Sequence, residues 1–197
     1  MPDTGAPHFI PFADPTDLVR DWPALSEDVA DAVAAGLTAA GNAGIGSNVV
    51  QTVKTDTFTS TSTSFVTVTG LTATITPTTD TSRVLVVAQI ATGNAGDSGS
   101  MYKITGGNSS VYVGDAEGTR VRGVFGGFYG NVLASVVLAQ SIVFLDSPST
   151  TSATTYQVEA RGSASLPAVF VNRPGDGADG GNLLRGASSI TLIEVAP

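Results

Sequence analysis

The 197-residue sequence predicts a mainly β protein: an antiparallel β-sandwich of jelly-roll type preceded by a short N-terminal arm and helix. Three observations predict it. Between Thr52 and Ser82, 18 of 31 residues are Thr or Ser, interleaved with apolar residues that alternate cleanly over 65–77, the spacing that sends alternate side chains to opposite faces of a strand. Roughly nine or ten short strand-like runs follow one another, separated by turn residues and uninterrupted by a helical period. Charged residues make up only 13% of the chain against 42% hydrophobic residues and 23 glycines, which suits a folded, turn-rich protein whose surface is hydroxylic more than ionic.

Residues 1–15 read as an extended arm, because Pro2, Pro7, Pro11 and Pro15 each restrict the backbone against helix. Its bulky side chains, Phe9, Ile10 and Phe12, are expected to be buried either on their own domain or on a partner protein. Asp14 before Pro15 fits a helix N-cap. Pro23 starts a second segment with Glu27 and Asp28 near its positive end and Gly41 as a stop. Trp22, Leu25, Val29, Val33 and Leu37 recur at steps of three or four and form one apolar stripe. That stripe suits a helix packed on its own domain, or a short bundle of helices from identical chains. "NAGIGSN", 42–48, reads as a linker, dividing the chain into 1–41, which attaches or oligomerises, and a β-sandwich over 49–197.

In the β region, "FVTVTGLTATITP" (65–77) predicts a strand pair around Gly70, with Leu71, Ala73 and Ile75 on one face and Thr72, Thr74 and Thr76 on the other. "RVLVVAQIA" (83–91) is apolar on both faces, which predicts a strand covered twice. Further strands are expected at 101–105, 110–114, 119–125, 134–145, 154–161, 168–172 and 188–195, with turns such as "DAEGT" and "RPGDGADGGN" between them.

Catalytic chemistry finds little support. "GDSG" (96–99) resembles the segment around a serine-protease nucleophile, but a serine needs a base. The one histidine, His8, sits in the Pro-rich arm. Asp115, Glu117 and Arg120 read as a turn with a surface ion pair, not as a carboxylate pair for glycoside hydrolysis. Asp176 and Asp179 in a Gly-rich loop lack the spacing and closing glutamate of a calcium loop. The chain is therefore expected to be no enzyme and to carry no metal or cofactor. Tyr129, in the aromatic "RGVFGGFYGN" (122–131), and Asp176 are the candidate ligand contacts, although packing is the favoured role for Phe125, Phe128 and Tyr129.

Net charge is −8, of which residues 1–40 contribute seven acids against Arg20 alone. No basic stripe exists for a phosphate backbone, so nucleic-acid binding is not expected. There is no cysteine for a disulfide or thiolate site. The absence of a long apolar run and the acidic N-terminus argue against membrane insertion and a signal peptide, so folding is expected in the cytoplasm.

The strand series beginning "VVQTVKTDTFTSTSTSFVTVTGLTATITPTTDTSRVLVVAQI" resembles the C-terminal β domain of tailed-phage fibre and minor tail proteins, as do "FLDSPSTTSATTYQVEARG", "VFVNRPGDG" and "ASSITLIEVAP". "IPFADPTDLVRDWPALSEDVADAVAAGL" is similar to the start of minor tail proteins of phages infecting actinobacteria. The resemblance implies a structural virion protein assembled in the host cytoplasm, a homotrimer anchored to other virion proteins through its N-terminus, with the β domain outward. A short tail fibre binding a host-surface glycan is the first expectation, and a head decoration fibre with a purely structural role is the alternative. Phe9, Ile10, Phe12, Trp22, Leu25, Val29 and Val33 are the expected attachment and oligomerisation set.

Overall fold

A computed structural model describes residues 27–36, 45–93, 99–108, 112–126, 135–165, 168–176 and 180–195. The chain divides into two compact units, Met1–Gly44 and Ile45–Pro197. In the first, residues 27–36 form a helix, α1, on which Val29 is half-buried and Val33 is 52% exposed. Phe9, Ile10, Phe12, Trp22 and Leu25, with the expected cap at Asp14–Pro15, lie outside the described residues.

The second unit is an antiparallel β-sandwich of jelly-roll type. Its strands are β1 (Ile45–Lys54), β2 (Phe58–Ser60), β3 (Val66–Ile75), β4 (Arg83–Gly93), β5 (Ser100–Thr105), β6 (Phe125–Gly126), β7 (Val137–Asp146), β8 (Thr154–Gly162), β9 (Val169–Val171) and β10 (Ser188–Val195). Pairing is concentric about the segment between β5 and β6: Met101 opposes Gly126, Val87 opposes Val143, Ala73 opposes Tyr156 and Val50 opposes Leu192. The chain is thus one long antiparallel ribbon folded over at β5–β6. Wrapping the ribbon adds β10 to β4 and β8 to β5, which gives two four-stranded layers, β1-β10-β4-β7 and β3-β8-β5-β6. This is the double Greek-key winding of a jelly roll. The short strands β9 and β2 extend the first sheet past the end of β10, where Thr92 and Gly93 of β4 pair with Val171 and Phe170.

The core lies between the layers. Val84, Val86, Ala88 and Ile90 of β4, Ile190 and Leu192 of β10, and Ile142 and Phe144 of β7 face Leu71, Ala73 and Ile75 of β3 and Tyr156, Val158 and Ala160 of β8. Each is one of every second residue on its strand, the alternation that Leu71, Ala73 and Ile75 announce in the sequence. Fully burying a side chain such as Leu192 contributes about 1.5–3 kcal/mol.

Four features differ from expectation. β1 begins at Ile45, inside the stretch read as linker, because it is stabilised by pairing with β10 and not by its own composition. Residues 66–75 form one strand, not two: Gly70 takes φ 85° and a register shift between Thr67 and Thr72 absorbs it as a bulge. β4 is covered on both faces only at its C-terminal end, where Ile90, Ala91, Thr92 and Gly93 are all buried, whereas before it Leu85 and Val87 are half-buried and Gln89 is exposed. Among the described residues of 110–125, only Phe125 is in a strand. The glycines at 114, 118 and 123 weaken strand formation there, and isolated bonds remain, Gly114 N–H to Gly123 O at 3.1 Å and Val124 N–H to Tyr102 O at 2.8 Å.

Candidate functional site

Three buried polar side chains, Glu194, Asp146 and Asn172, help to close the sandwich. Glu194 on β10 is 1% exposed. Its Oε1 accepts bonds from the Thr78 backbone N–H at 2.7 Å and the Thr78 hydroxyl at 2.6 Å, and its Oε2 accepts from Asn48 Nδ2 at 3.3 Å. Burial pushes this carboxyl up, but the bonds from Thr78, Ser82 and Asn48 outweigh burial and hold it below the usual carboxylate range. The turn between β3 and β4 is thereby fastened to β10 and β1.

Asp146, at the end of β7, is also 1% exposed. Its Oδ2 accepts from the Tyr156 hydroxyl at 2.5 Å and from the Asn108 N–H at 3.0 Å. Burial first, then the neighbouring Asp146, pushes the Tyr156 phenol well above its ordinary range. Gly107 passes over this pair with φ 50°, and a Cβ there would strike Asp146 Oδ2, so glycine is required on steric and conformational grounds. Burial also raises the Tyr102 phenol, to about 12, against a smaller lowering by the Ser100 hydroxyl.

A third cluster centres on Asn172, fully buried and left-handed at φ 63°. Its Nδ2 donates to Lys54 O at 2.9 Å and Asp56 O at 2.8 Å, and its Oδ1 accepts from the Ser188 hydroxyl at 2.6 Å. The Ser188 oxygen in turn accepts the Ala91 N–H at 3.0 Å. One side chain therefore ties the ends of β1, β4, β9 and β10.

Among the described residues, a concave feature runs along β5. A groove of about 340 Å³ is lined by Lys103, Ile104, Thr105, Gly106, Gly107, Val113 and Arg122. The β5–β8 register sets Lys103 opposite Glu159, and Lys103 Nζ stands 3.1 Å from Glu159 Oε2 and 4.6 Å from the centre of the Phe65 ring. The Thr105 hydroxyl donates to Glu159 Oε1 at 3.1 Å, as does Gln157 Nε2 at 3.2 Å. Arg122 Nε donates to Gly114 O at 2.7 Å, holding its guanidinium at the groove wall. Lys103 is compensated by Glu159, so the groove presents one further cation, Arg122, beside polar side chains, a set that suits a hydroxylated small ligand. It offers no nucleophile with an adjacent base.

The residues singled out in the sequence do not converge on this groove. Asp176 is exposed and accepts a bond from the Ser135 hydroxyl at 2.6 Å. Phe125 is half-buried and stacks on Tyr102, with ring centres 4.7 Å apart, so it belongs to the core margin. Tyr129, Phe128, Asp179 and His8 lie outside the described residues. Glu117 and Arg120 form a surface ion pair across a turn where Gly118 takes φ 55°. Lys103, Thr105, Arg122 and Glu159 were not legible as a set. The alternation of polar Lys103 and Thr105 with buried Tyr102 and Ile104 places them outward, but only the strand register brings Glu159 to them.

Among the described residues, no three His, Cys, Asp or Glu side chains are grouped to hold a metal ion. No described helix is long and apolar enough to cross a membrane. No protein-family model matches the sequence, and no curated protein matches it. Among solved structures, the chain is similar to a chain in the structure of infectious bursal disease virus Gx strain, at 16% identity and a TM-score of 0.33, covering 77% of this chain and 39% of that one.

Proposed function

We propose that the chain is a structural protein of a tailed-phage virion: a short homotrimeric tail fibre or tail-tip protein, joined to the particle through residues 1–41, with the jelly roll carrying a contact for a host-surface glycan. The observation that carries this reading is how the sandwich uses its buried polar groups. Glu194, Asp146 and Asn172 each fasten a turn or a strand end, and the outward polar side chains Lys103, Thr105 and Arg122 line a groove in which no nucleophile stands beside a base. The resemblance of the N-terminal segment to minor tail proteins supports attachment through that end. The groove at Lys103, Thr105 and Arg122 supports a ligand bearing hydroxyls or carboxylates, and it replaces Tyr129 and Asp176 as the contact to test first.

A head decoration protein with a purely structural role is the second reading. It is favoured by the packing of Phe125 into the core margin, which removes one exposed aromatic from the binding surface. Mass spectrometry of purified particles should find this chain as a stoichiometric component, and gold-labelled antibody should mark the tail. Label on the head favours decoration, and a chain found only in the soluble fraction sinks both readings. In glycan binding by the full chain, Arg122→Ala, at an exposed position, should weaken the signal at least tenfold while leaving the melting profile unchanged, and unchanged binding would remove the groove from the reading.

A further inference from the structure

The groove beside β5 is asymmetric in charge. Lys103 meets Glu159 across the strand pair at 3.1 Å, and Arg120, in the loop that carries Arg122, pairs with Glu117. Arg122 lines the groove and is exposed, and among the described residues no carboxylate pairs with it. Its guanidinium is nevertheless held in place, because Nε donates to Gly114 O at 2.7 Å. The Gly114 N–H donates to Gly123 O at 3.1 Å, and the Val124 N–H donates to Tyr102 O at 2.8 Å. The segment bearing Arg122 is therefore tied to itself and to β5. An arginine anchored through Nε keeps both Nη nitrogens for a partner, with their donors in one plane. A fork fixed before the ligand arrives loses little freedom on binding.

We infer that Arg122 selects an acidic sugar, one bearing a carboxylate, which it grips through both Nη nitrogens. One uncompensated cation balances one negative charge, and the two oxygens of a carboxylate match the paired donors in plane and spacing. A phosphate monoester brings a charge of about −1.5 to −2, more than Arg122 neutralises, and Lys103 is already engaged by Glu159. The rest of the lining suits the rest of a sugar. Thr105 donates its hydroxyl proton to Glu159 at 3.1 Å, which leaves its oxygen to accept a bond from a ligand hydroxyl. Half-buried Val113 offers an apolar wall to the ring C–H groups. The volume of about 340 Å³ lies at the lower end of the range for small-ligand sites, room for about one or two sugar rings. This rests on the glycan-binding part of the proposed function, and it names the class of sugar and the residue that sets it.

The test is titration of the full chain at low salt with methyl glucuronide, methyl glucoside, glucose 6-phosphate and acetate, followed by calorimetry. Methyl glucuronide should bind at least about tenfold more tightly than methyl glucoside. Arg122→Ala should erase that preference, and Arg122→Lys, which keeps the charge but not the fork, should lose most of it. Arg83→Ala removes the same charge from an exposed position on the other sheet and should bind as the wild type does. Equal binding of glucuronide and glucoside overturns the acidic class while leaving a contact for neutral glycans standing. Acetate bound as tightly as the glucuronide overturns it as well, because the fork would then hold an adventitious anion only. Tighter binding of glucose 6-phosphate, or a glucuronide preference that survives Arg122→Ala, has the same consequence. If neither sugar binds up to about 10 mM, the groove is no glycan site and the inference falls with it, and the presence of the chain in purified particles decides the virion reading separately.

Discussion

Glu194 keeps its charge inside the protein because donors from two segments close on it: Thr78 from the turn after β3, Asn48 from β1. Glutamine keeps one oxygen to accept from the Thr78 N–H and hydroxyl but loses the charge and sets its NH2 against the Asn48 Nδ2 donor, and Glu194→Gln should cost about 1–3 kcal/mol at neutral pH. The pH dependence has a definite sign. The folded carboxyl lies below its unfolded range, so its contribution is fully present above the unfolded pKa and is lost as pH falls through the folded one. Urea midpoints measured from pH 7 down to pH 3 should therefore fall on the acid side for the wild type and fall less for Glu194→Gln. Equal slopes would mean that the acid limb belongs to other groups. Lys54 makes a contrast at this scale. Its Nζ meets Asp56 Oδ2 at 2.8 Å and lowers that carboxyl, chiefly by the hydrogen bond. Asp56, though, stands in water with 77% of its side chain exposed, where screening leaves such a pair little effect on stability. The buried stem of Lys54, lying against Gly70, matters more.

The short strands β2 and β9 have few ladder bonds of their own and depend on Asn172. Asn172→Ala removes two donated bonds and one accepted bond and places a β-carbon residue without side-chain compensation in the left-handed region, at a cost of about 2–4 kcal/mol. Hydrogen exchange should show amides of Phe58–Ser60 and Val169–Val171 opening faster while those of β4 and β10 keep their protection. Uniform loss across all strands would show instead that the cluster holds the whole sandwich. The same elements explain what sequence can and cannot reveal. Strands whose side chains sort cleanly by burial, such as Leu71 to Ile75 and Ser188 to Val195, announce themselves by alternation. β1 does not, since "IGSN" is turn chemistry made extended by its partner. The stretch after Tyr112 misleads in the opposite direction: its apolar alternation is real, but its described residues gain only isolated bonds. Lys103 and Glu159 could not be joined by reading either strand alone, because register is a property of the pair. The apolar outer side of β4 suggests a covering layer, and within one chain only its end at Ala91 and Gly93 is covered, while Leu85, Val87 and Gln89 stay partly open.

For the whole molecule, concentric pairing means that the first strand of the jelly roll closes on the last. β1 covers one edge of β10, Val50 packs against the core, and the Thr52 hydroxyl donates to Thr72 O at 2.8 Å, bridging to the other layer. Such a fold is dominated by contacts between distant parts of the chain, which slows closure and makes an uncovered sheet edge an aggregation risk on the way. Because the division into compact units falls between Gly44 and Ile45, a chain of residues 45–197 should fold with the β signature and melting temperature of the full-length unit. A chain starting at residue 55 loses β1, leaves the β10 edge unpaired and removes the Lys54 oxygen that Asn172 bonds. Its melting temperature should drop by about 10 °C or more, with soluble aggregates appearing on size exclusion. Thermal scans by circular dichroism on both truncations check this. If the 55–197 chain melts within a few degrees of the 45–197 chain, closure of the ribbon at β1–β10 is not what completes the sandwich, and stability resides in the inner pairs β3–β8 and β4–β7 alone.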